Sequence, residues 1–235
     1  MTIMKHIGIA GITVPGALLC IDTIVEESYK HFGEGSLIHP HITYTQPPTN
    51  EIEVPFEKKD WDQVGEDLLN SITILAKAGV DFAIIPSNSP HYAIKKILSQ
   101  SSIPILNLVE LVVKECQERG FKKTGILGVG VTMSDGLYAK PLEEVGIQPF
   151  VLSLQRQKQV NDVIYNEIIK GKPTAQTAEK MKIFIQELKD MGCDSFIAGC
   201  TEIPVVIKSE ADSPLPFIDT TRLLAKKALE YAIGE

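Results

Sequence analysis

The chain has 235 residues, with 23 lysines and arginines against 30 aspartates and glutamates, so its formal net charge is −7. This acidic balance excludes the basic face that a nucleic-acid binder or an anionic-membrane binder needs. Hydrophobic residues make up 44% of the chain and charged residues 23%, which is typical of a globular protein with a substantial core and excludes disorder as the main state.

Two further features bear on where the protein works. No apolar run approaches the roughly 18 residues that a membrane-spanning helix needs. The cysteines lack the spacing of metal ligands, and a chain of this length needs no disulfide framework. We therefore predict a cytoplasmic protein with free thiols, no bound metal and no membrane partner. The four cysteines are Cys20, Cys116, Cys193 and Cys200.

Short β-rich apolar runs alternate along the chain with longer amphipathic segments, a pattern that predicts an α/β fold with mostly parallel sheets. The predicted strands are His6–Ala10, His41–Tyr44, Phe82–Ile85, Ile105–Asn107, Thr124–Leu127, Pro149–Leu152, Ser195–Ala198 and Phe217–Ile218. The predicted helices are Asp60–Ala78, Leu106–Arg119, Gln157–Lys170, Ala175–Met191 and Thr220–Ile233.

The chain contains an internal repeat. Asp81–Ser87 aligns with Asp194–Cys200 at an offset of 113 residues, and each segment ends in a side chain that can carry a proton. Ile103–Asn107 aligns with Leu215–Asp219 at nearly the same offset. Several matches in the same order indicate a duplication.

The repeat predicts two similar αβ lobes related by pseudo-twofold symmetry. The first lobe comprises residues 1–112 and 210–235, and the second comprises residues 113–209. Ligands of open α/β sheets bind beyond the carboxyl ends of the strands, so we expect an active site in the cleft between the lobes.

Polar residues follow one strand in each lobe, namely Ser87–His91 in the first and Gly199–Glu202 in the second. Both turns precede helix-like segments, whose N-terminal N–H groups favour a carboxylate or a thiolate. Cys200 is therefore the best-placed cysteine for nucleophilic or acid/base chemistry. The alternative is a small buried cysteine at a tight turn.

These motifs resemble those of the aspartate/glutamate racemase family. The likeness rests on Gly199–Glu202, on Ser87–His91 in the equivalent place and on the opening Ile7–Gly11, and it covers essentially the whole chain. It implies inversion of an amino acid with an acidic side chain at its α-carbon, without pyridoxal phosphate or another cofactor. Two side chains on opposite faces would transfer the proton, and the family resemblance also implies a homodimer.

The resemblance also assigns roles to individual residues. It makes Cys200 and Ser87 catalytic, with Glu202 and His91 in support. Three of the assignments have plain alternatives: a structural hydrogen bond for His91, a favourable helix-dipole position for Glu202, and an exposed helix end for Lys170. The expected substrate-binding residues are Asn88, Ser89, Thr132, Thr201, Thr13 and Lys170.

The chain departs from the family pattern at three places. Ser87 stands where the family usually has cysteine, either naturally or as a replacement, and Val129 stands where a threonine is usual. The loop Tyr44–Glu51 lacks the arginine that aspartate racemases use for the side-chain carboxylate. A thiol has a pKa of about 8.5, whereas a hydroxyl is several units less acidic and each unit corresponds to about 1.4 kcal/mol. Ser87 without a neighbouring base is therefore a poor proton acceptor.

Two other functions fit the same residues. One is a single-cysteine decarboxylase of the arylmalonate type, in which one thiol protonates a planar intermediate on one face. The other is a non-catalytic binder of small carboxylates or amino acids, in which the two helix N-termini hold the ligand. Release of carbon dioxide would identify the decarboxylase, and binding insensitive to Cys200→Ser would identify the binder.

Overall fold

The protein, described by a computed structural model over residues 4–33 and 35–234, has an α/β fold with two parallel sheets. The chain forms two compact units. The first runs as far as Leu111 and resumes at Thr221, and the second is the continuous segment Val112–Thr220.

The first unit is built on a three-stranded parallel sheet with the order β2–β1–β3. All four residues of the central strand are buried, as expected for a parallel strand covered on both faces. The predicted strand at Ile105–Asn107 is reduced to one bridge between Ile105 and Ala83, because a helix begins at Leu108. The strands are β1 Ile7–Ala10, β2 Ile42–Thr45 and β3 Phe82–Ile84.

One helix of this unit follows the sequence prediction closely. Helix α3 spans Trp61–Lys77, and the Asp60 side chain caps it by accepting a hydrogen bond from the Gln63 N–H. Gly79 follows its end with a φ of 81°, a conformation that glycine adopts without strain. The other helical segments of this part of the chain are α1 Val14–Phe32, α2 Thr49–Glu57, a 3₁₀-helix Ser89–Ala93, α4 Ile94–Gln100 and α5 Leu108–Glu118.

The C-terminal helix α11, Thr220–Ile233, completes the first unit. The Lys5 N–H donates to the Ala232 carbonyl at 2.9 Å, and the Tyr231 ring packs edge-on against Phe82 at 4.7 Å. The Cys20 thiol of α1 donates to the Thr221 carbonyl. Residues from the two ends of the sequence therefore pack into one core.

The second unit contains a four-stranded parallel sheet with the order β5–β4–β6–β7. Its core contains Phe196 and Phe217, whose rings stack at 5.2 Å, together with aliphatic residues of the covering helices. The strands are β4 Lys123–Gly128, β5 Gln148–Phe150, β6 Ser195–Gly199 and β7 Phe217–Asp219. The helices are α6 Gly130–Ser134, α7 Ala139–Glu144, α8 Leu154–Asp162, α9 Ala175–Asp190 and α10 Ile203–Val206, with a 3₁₀ turn at Glu210–Asp212.

Two predictions in the second unit needed correction. The predicted helix Gln157–Lys170 begins earlier, as α8, and continues as a π-helix over Val163–Ile169. The strand predicted at Pro149–Leu152 is displaced towards the N-terminus and ends at Phe150. Within the described residues, no helix combines the length and hydropathy needed to cross a membrane.

Candidate active site

In the first unit, the turn after β3 carries the predicted polar residues. The Ser87 N–H donates to the Ile85 carbonyl at 2.8 Å, which tightens the chain directly beyond the strand. Asn88 and Ser89 are buried, and Ser89 begins the 3₁₀-helix with Pro90 in its first turn. The local sequence thus places three predicted site residues at the carboxyl end of a buried strand.

His91 has a definite structural role in this turn. Its Nδ1 lies 2.8 Å from the Ser87 carbonyl oxygen, and the Leu108 N–H lies 3.3 Å from its Nε2. A carbonyl only accepts and an amide N–H only donates, so Nδ1 carries the proton and Nε2 accepts. Burial lowers the pKa of His91 to about 4, and the ring is therefore neutral near pH 7. Both ring nitrogens are engaged with the backbone, which makes His91 a positioning residue for the Ser87 turn.

In the second unit, Cys200 directly follows β6 and is buried. Burial raises the pKa of its thiol well above the usual value, and the neighbouring Glu202 carboxylate raises it further. The Cys200 Sγ donates a hydrogen bond to Glu202 Oε2 at 2.9 Å. Backbone N–H groups of Glu202 and Val129 point at the sulfur and oppose part of this rise. At neutral pH the residue is a thiol that holds its proton next to a carboxylate.

Thr201 and Thr132 contact the residues on either side of Cys200. The Thr201 hydroxyl donates to the same Glu202 oxygen at 2.7 Å, so one carboxylate oxygen accepts two hydrogen bonds. Thr132 is fully buried, and its methyl group lies against Gly199, where an added Cβ would come within 2.9 Å of it. The structure therefore brings together the predicted residues Thr132, Cys200, Thr201 and Glu202.

Asn161 is a residue that the sequence analysis missed. It lies on α8, and its Oδ1 accepts the Gly130 N–H at 2.9 Å. Gly130 follows Val129, whose N–H points at the Cys200 sulfur, so Asn161 holds the loop that supplies this donor. The partner is a backbone amide 31 positions away, and no sequence motif marks such a contact.

The remaining candidates lie elsewhere in their units. Thr13 precedes α1 and its Oγ1 is buried without a hydrogen-bond partner among the described residues. Lys170 directly follows the π-helix and has an exposed side chain.

Gln46 lies in the loop after β2, the loop in which the sequence has no arginine. Its Nε2 donates to the carbonyls of Ile12 and Pro47, each at 2.9 Å. Its Oε1 accepts the Tyr44 hydroxyl at 2.8 Å. The Gln46 side-chain amide is therefore fully used in hydrogen bonds, one of which holds the loop between β1 and α1 in place.

The family model described as Asp/Glu/Hydantoin racemase matches residues 9–228. The chain belongs to this family. This confirms the resemblance stated from the sequence, and the related proteins support an isomerase of the amino-acid racemase type.

Curated and solved members of the racemase family match nearly the whole chain. A broad specificity amino-acid racemase, RacX, from Bacillus subtilis strain 168 is 28% identical over 213 residues, which is 89% of each chain. A crystal structure of a putative Asp/Glu racemase from Yersinia pestis superimposes with a TM-score of 0.87 at 26% identity, covering 98% of this chain and 100% of that one. An aspartate racemase homologue from Pyrococcus horikoshii OT3 gives a TM-score of 0.84 at 25% identity, covering 97% and 99%.

Proposed function

We propose that the protein is a cofactor-independent amino-acid racemase in which Cys200 and Ser87 exchange the α-proton on opposite faces of the substrate. The observation that carries the proposal is the Cys200 thiol, which is buried at the end of β6 and hydrogen-bonded to a carboxylate. Membership of the racemase family supports the same chemistry.

In this proposal Cys200 and Glu202 act as one proton-handling pair. The thiol holds its proton because burial and the Glu202 charge raise its pKa. In one direction the thiol gives this proton to the substrate carbanion. In the other direction the thiol proton moves to Glu202 Oε2, 2.9 Å away, and the thiolate so formed removes the α-proton.

Ser87 is the weaker partner. The His91 Nδ1–H is directed at the Ser87 carbonyl, so His91 is not available through that nitrogen as a base for the hydroxyl. Each pKa unit between a hydroxyl and a thiol corresponds to about 1.4 kcal/mol in the ionised population. We therefore expect α-proton exchange with solvent to be slower for the enantiomer that Ser87 must deprotonate than for the enantiomer that Cys200 deprotonates.

Aspartate and glutamate are the first substrates to test, because the family is named for them. The side-chain carboxylate has no arginine partner in the loop after β2, where both donors of Gln46 are already used. The substrate panel should therefore extend to neutral and basic amino acids, as the named specificity of the Bacillus relative also suggests.

The test is exchange of the α-proton in deuterated buffer with each enantiomer of every amino acid in the panel. Exchange accompanied by inversion is expected for the unmodified chain, and Ser87→Cys should accelerate α-proton exchange of the enantiomer that exchanges more slowly in the unmodified chain. Cys200→Ser should abolish exchange. Cys193→Ser is the matched control, since Cys193 is also buried in the second unit but precedes β6, and it should leave exchange unchanged.

Absence of exchange in the unmodified chain and in Ser87→Cys, with every amino acid tested, would refute the racemase. Loss of exchange in Cys193→Ser would show instead that a general change in packing explains the Cys200 variant.

The single-cysteine decarboxylase is a second candidate that one observation favours. A thiol that keeps its proton is suited to protonating a planar intermediate on one face, and Ser87 offers no second thiol. Release of carbon dioxide from a disubstituted malonate, lost in Cys200→Ser, would support this function over racemisation.

A further inference from the structure

A cavity of about 300 Å³ lies in the first unit, beside the end of β2. It is lined by the loop after β2, by α2 and by one side of α3. None of the residues assigned above to proton transfer lines it. The lining side chains that matter here are Gln46, Glu51, Asp67, Asn70, Ser71 and Ile74.

Ser71 is the feature that indicates a ligand. The residue is only 5% exposed, and it lines the cavity from α3. Its hydroxyl makes no hydrogen bond with any other residue in the described part of the chain. The hydroxyl oxygen is not fully enclosed, so it can form a hydrogen bond with a molecule that enters the cavity.

Two carboxylates set the charge of the cavity. Glu51 and Asp67 both line it, and no lysine or arginine is among its described lining residues. Asp67 Oδ1 accepts the Gln63 amide at 2.9 Å, which orients the carboxylate while its second oxygen carries further acceptor capacity. The Asn70 side chain adds another polar group. This set of acceptors matches a cationic donor with several N–H groups.

The cavity also has an apolar side. Ile74 is 57% exposed and lines it together with the buried Ile52. An alkyl chain lying on these two side chains would remove apolar surface from water, which favours binding.

We propose that this cavity binds a primary ammonium or guanidinium group carried on a short aliphatic stem. The charged head would lie between Glu51 and Asp67 and donate to the Ser71 hydroxyl, and the stem would lie on Ile74. The head could belong to the side chain of a basic amino acid or to a free amine. The proposal rests on the cavity alone and does not depend on racemase chemistry.

The cavity is connected to the loop between β1 and α1 through Gln46. The Gln46 side chain lines the cavity and also donates to the Ile12 carbonyl. An occupant would therefore contact the residue that braces this loop.

The test uses n-butylammonium, n-butanol and butanoate, which share an alkyl stem and differ in charge. Binding to the full chain is followed by amide chemical shifts in nuclear magnetic resonance spectra. We expect n-butylammonium to produce saturable shifts at Ser71 and Ile74 with a higher affinity than either of the other probes. Asp67→Asn should weaken its affinity by about 1.4-fold to fivefold, the range for an exposed ion pair. Ser71→Ala should weaken it as well.

Glu66→Gln is the matched control. It makes the same change of charge at the neighbouring position of α3, but Glu66 is paired with Lys96 at 3.1 Å and does not line the cavity. The affinity for n-butylammonium should not change in this variant. Equal affinities for the three probes, no saturable shift, or equal effects of Asp67→Asn and Glu66→Gln would each overturn the proposal.

L-lysine and L-norleucine distinguish the two sources of the cation, because norleucine lacks the terminal ammonium group. Displacement of n-butylammonium by lysine and not by norleucine, with lysine binding weakened in Asp67→Asn, would assign the cavity to an amino-acid side chain. Binding of n-butylammonium that neither amino acid displaces would assign it to a free amine.

Discussion

Because His91 is buried and neutral, we predict how the free energy of unfolding depends on pH. The pKa of this residue is about 4 in the folded protein, whereas an unfolded histidine titrates near 6.5. The folded state therefore binds fewer protons than the unfolded state between these values. The contribution of neutral His91 to the free energy of unfolding is fully present above pH 6.5 and is lost as the pH falls towards 4.

The size of the effect follows from the difference between the two pKa values. A difference of about 2.5 units corresponds to roughly 3.4 kcal/mol when both states are fully titrated. Between pH 7.5 and pH 5.0 the part that is lost is about 2 kcal/mol. Urea unfolding at the two pH values measures it directly, as the difference in the free energy of unfolding.

The decisive comparison is with His91→Gln. Glutamine offers one donor and one acceptor but does not titrate, so about 2 kcal/mol of the pH dependence should disappear in this variant. His39→Gln, which replaces an exposed histidine, controls for the loss of an imidazole as such. An unfolding free energy that depends on pH equally in the unmodified chain and in His91→Gln would refute the assignment of His91 as a neutral residue that positions the Ser87 turn.

Three further predictions concern the second unit. Gly128→Ala would place a Cβ 2.7 Å from the Gly199 carbonyl oxygen, so we expect a loss of about 1–3 kcal/mol of stability in urea unfolding. Asn161→Ala removes the acceptor of the Gly130 N–H, and we expect slower α-proton exchange with a change of less than about 2 kcal/mol in the unfolding free energy. Thr124→Val removes one hydroxyl of a buried pair between β4 and β6 and should cost about 1–3 kcal/mol, measured in the same way.

Much of the sheet architecture could be predicted from the sequence, because parallel strands covered on both faces appear as short continuous apolar runs. Phe82–Ile85 and Ser195–Ala198 are examples, and each coincides with an observed strand to within one residue. Helix α3 could also be predicted from the sequence, because its apolar residues recur at helical spacing and both of its ends carry capping signals.

Helices α1 and α2 were not predicted. The sequence around α1 nevertheless carries helical signals, because Pro15 suits a first helical turn, and Ala17, Cys20 and Ile24 have the spacing of a buried face. Helix α2 is short and contains Pro55, which weakens any helical signal from its sequence.

From the sequence, the candidate site could be predicted only where it depends on side-chain type, and not where it depends on main-chain contacts. Ser87 and Cys200 stood out because a side chain that can carry a proton followed a strand in each half of the repeat. The tautomer of His91 depends on the Leu108 amide, and the donor from Val129 to the Cys200 sulfur depends on a backbone conformation. Contacts made by the main chain leave no trace in residue type, so they emerged only from the structure.

The packing of α11 into the first unit has a consequence for protein synthesis. Domains generally fold as units while the chain is being made, beginning with those nearest the N-terminus. Here the first unit includes Tyr231 and Ala232, so its core is incomplete until residue 232 has been added. The continuous second unit is complete in sequence earlier and is free to fold first. A released chain that is truncated after Thr220 should therefore contain a protease-resistant second unit and a protease-sensitive N-terminal segment.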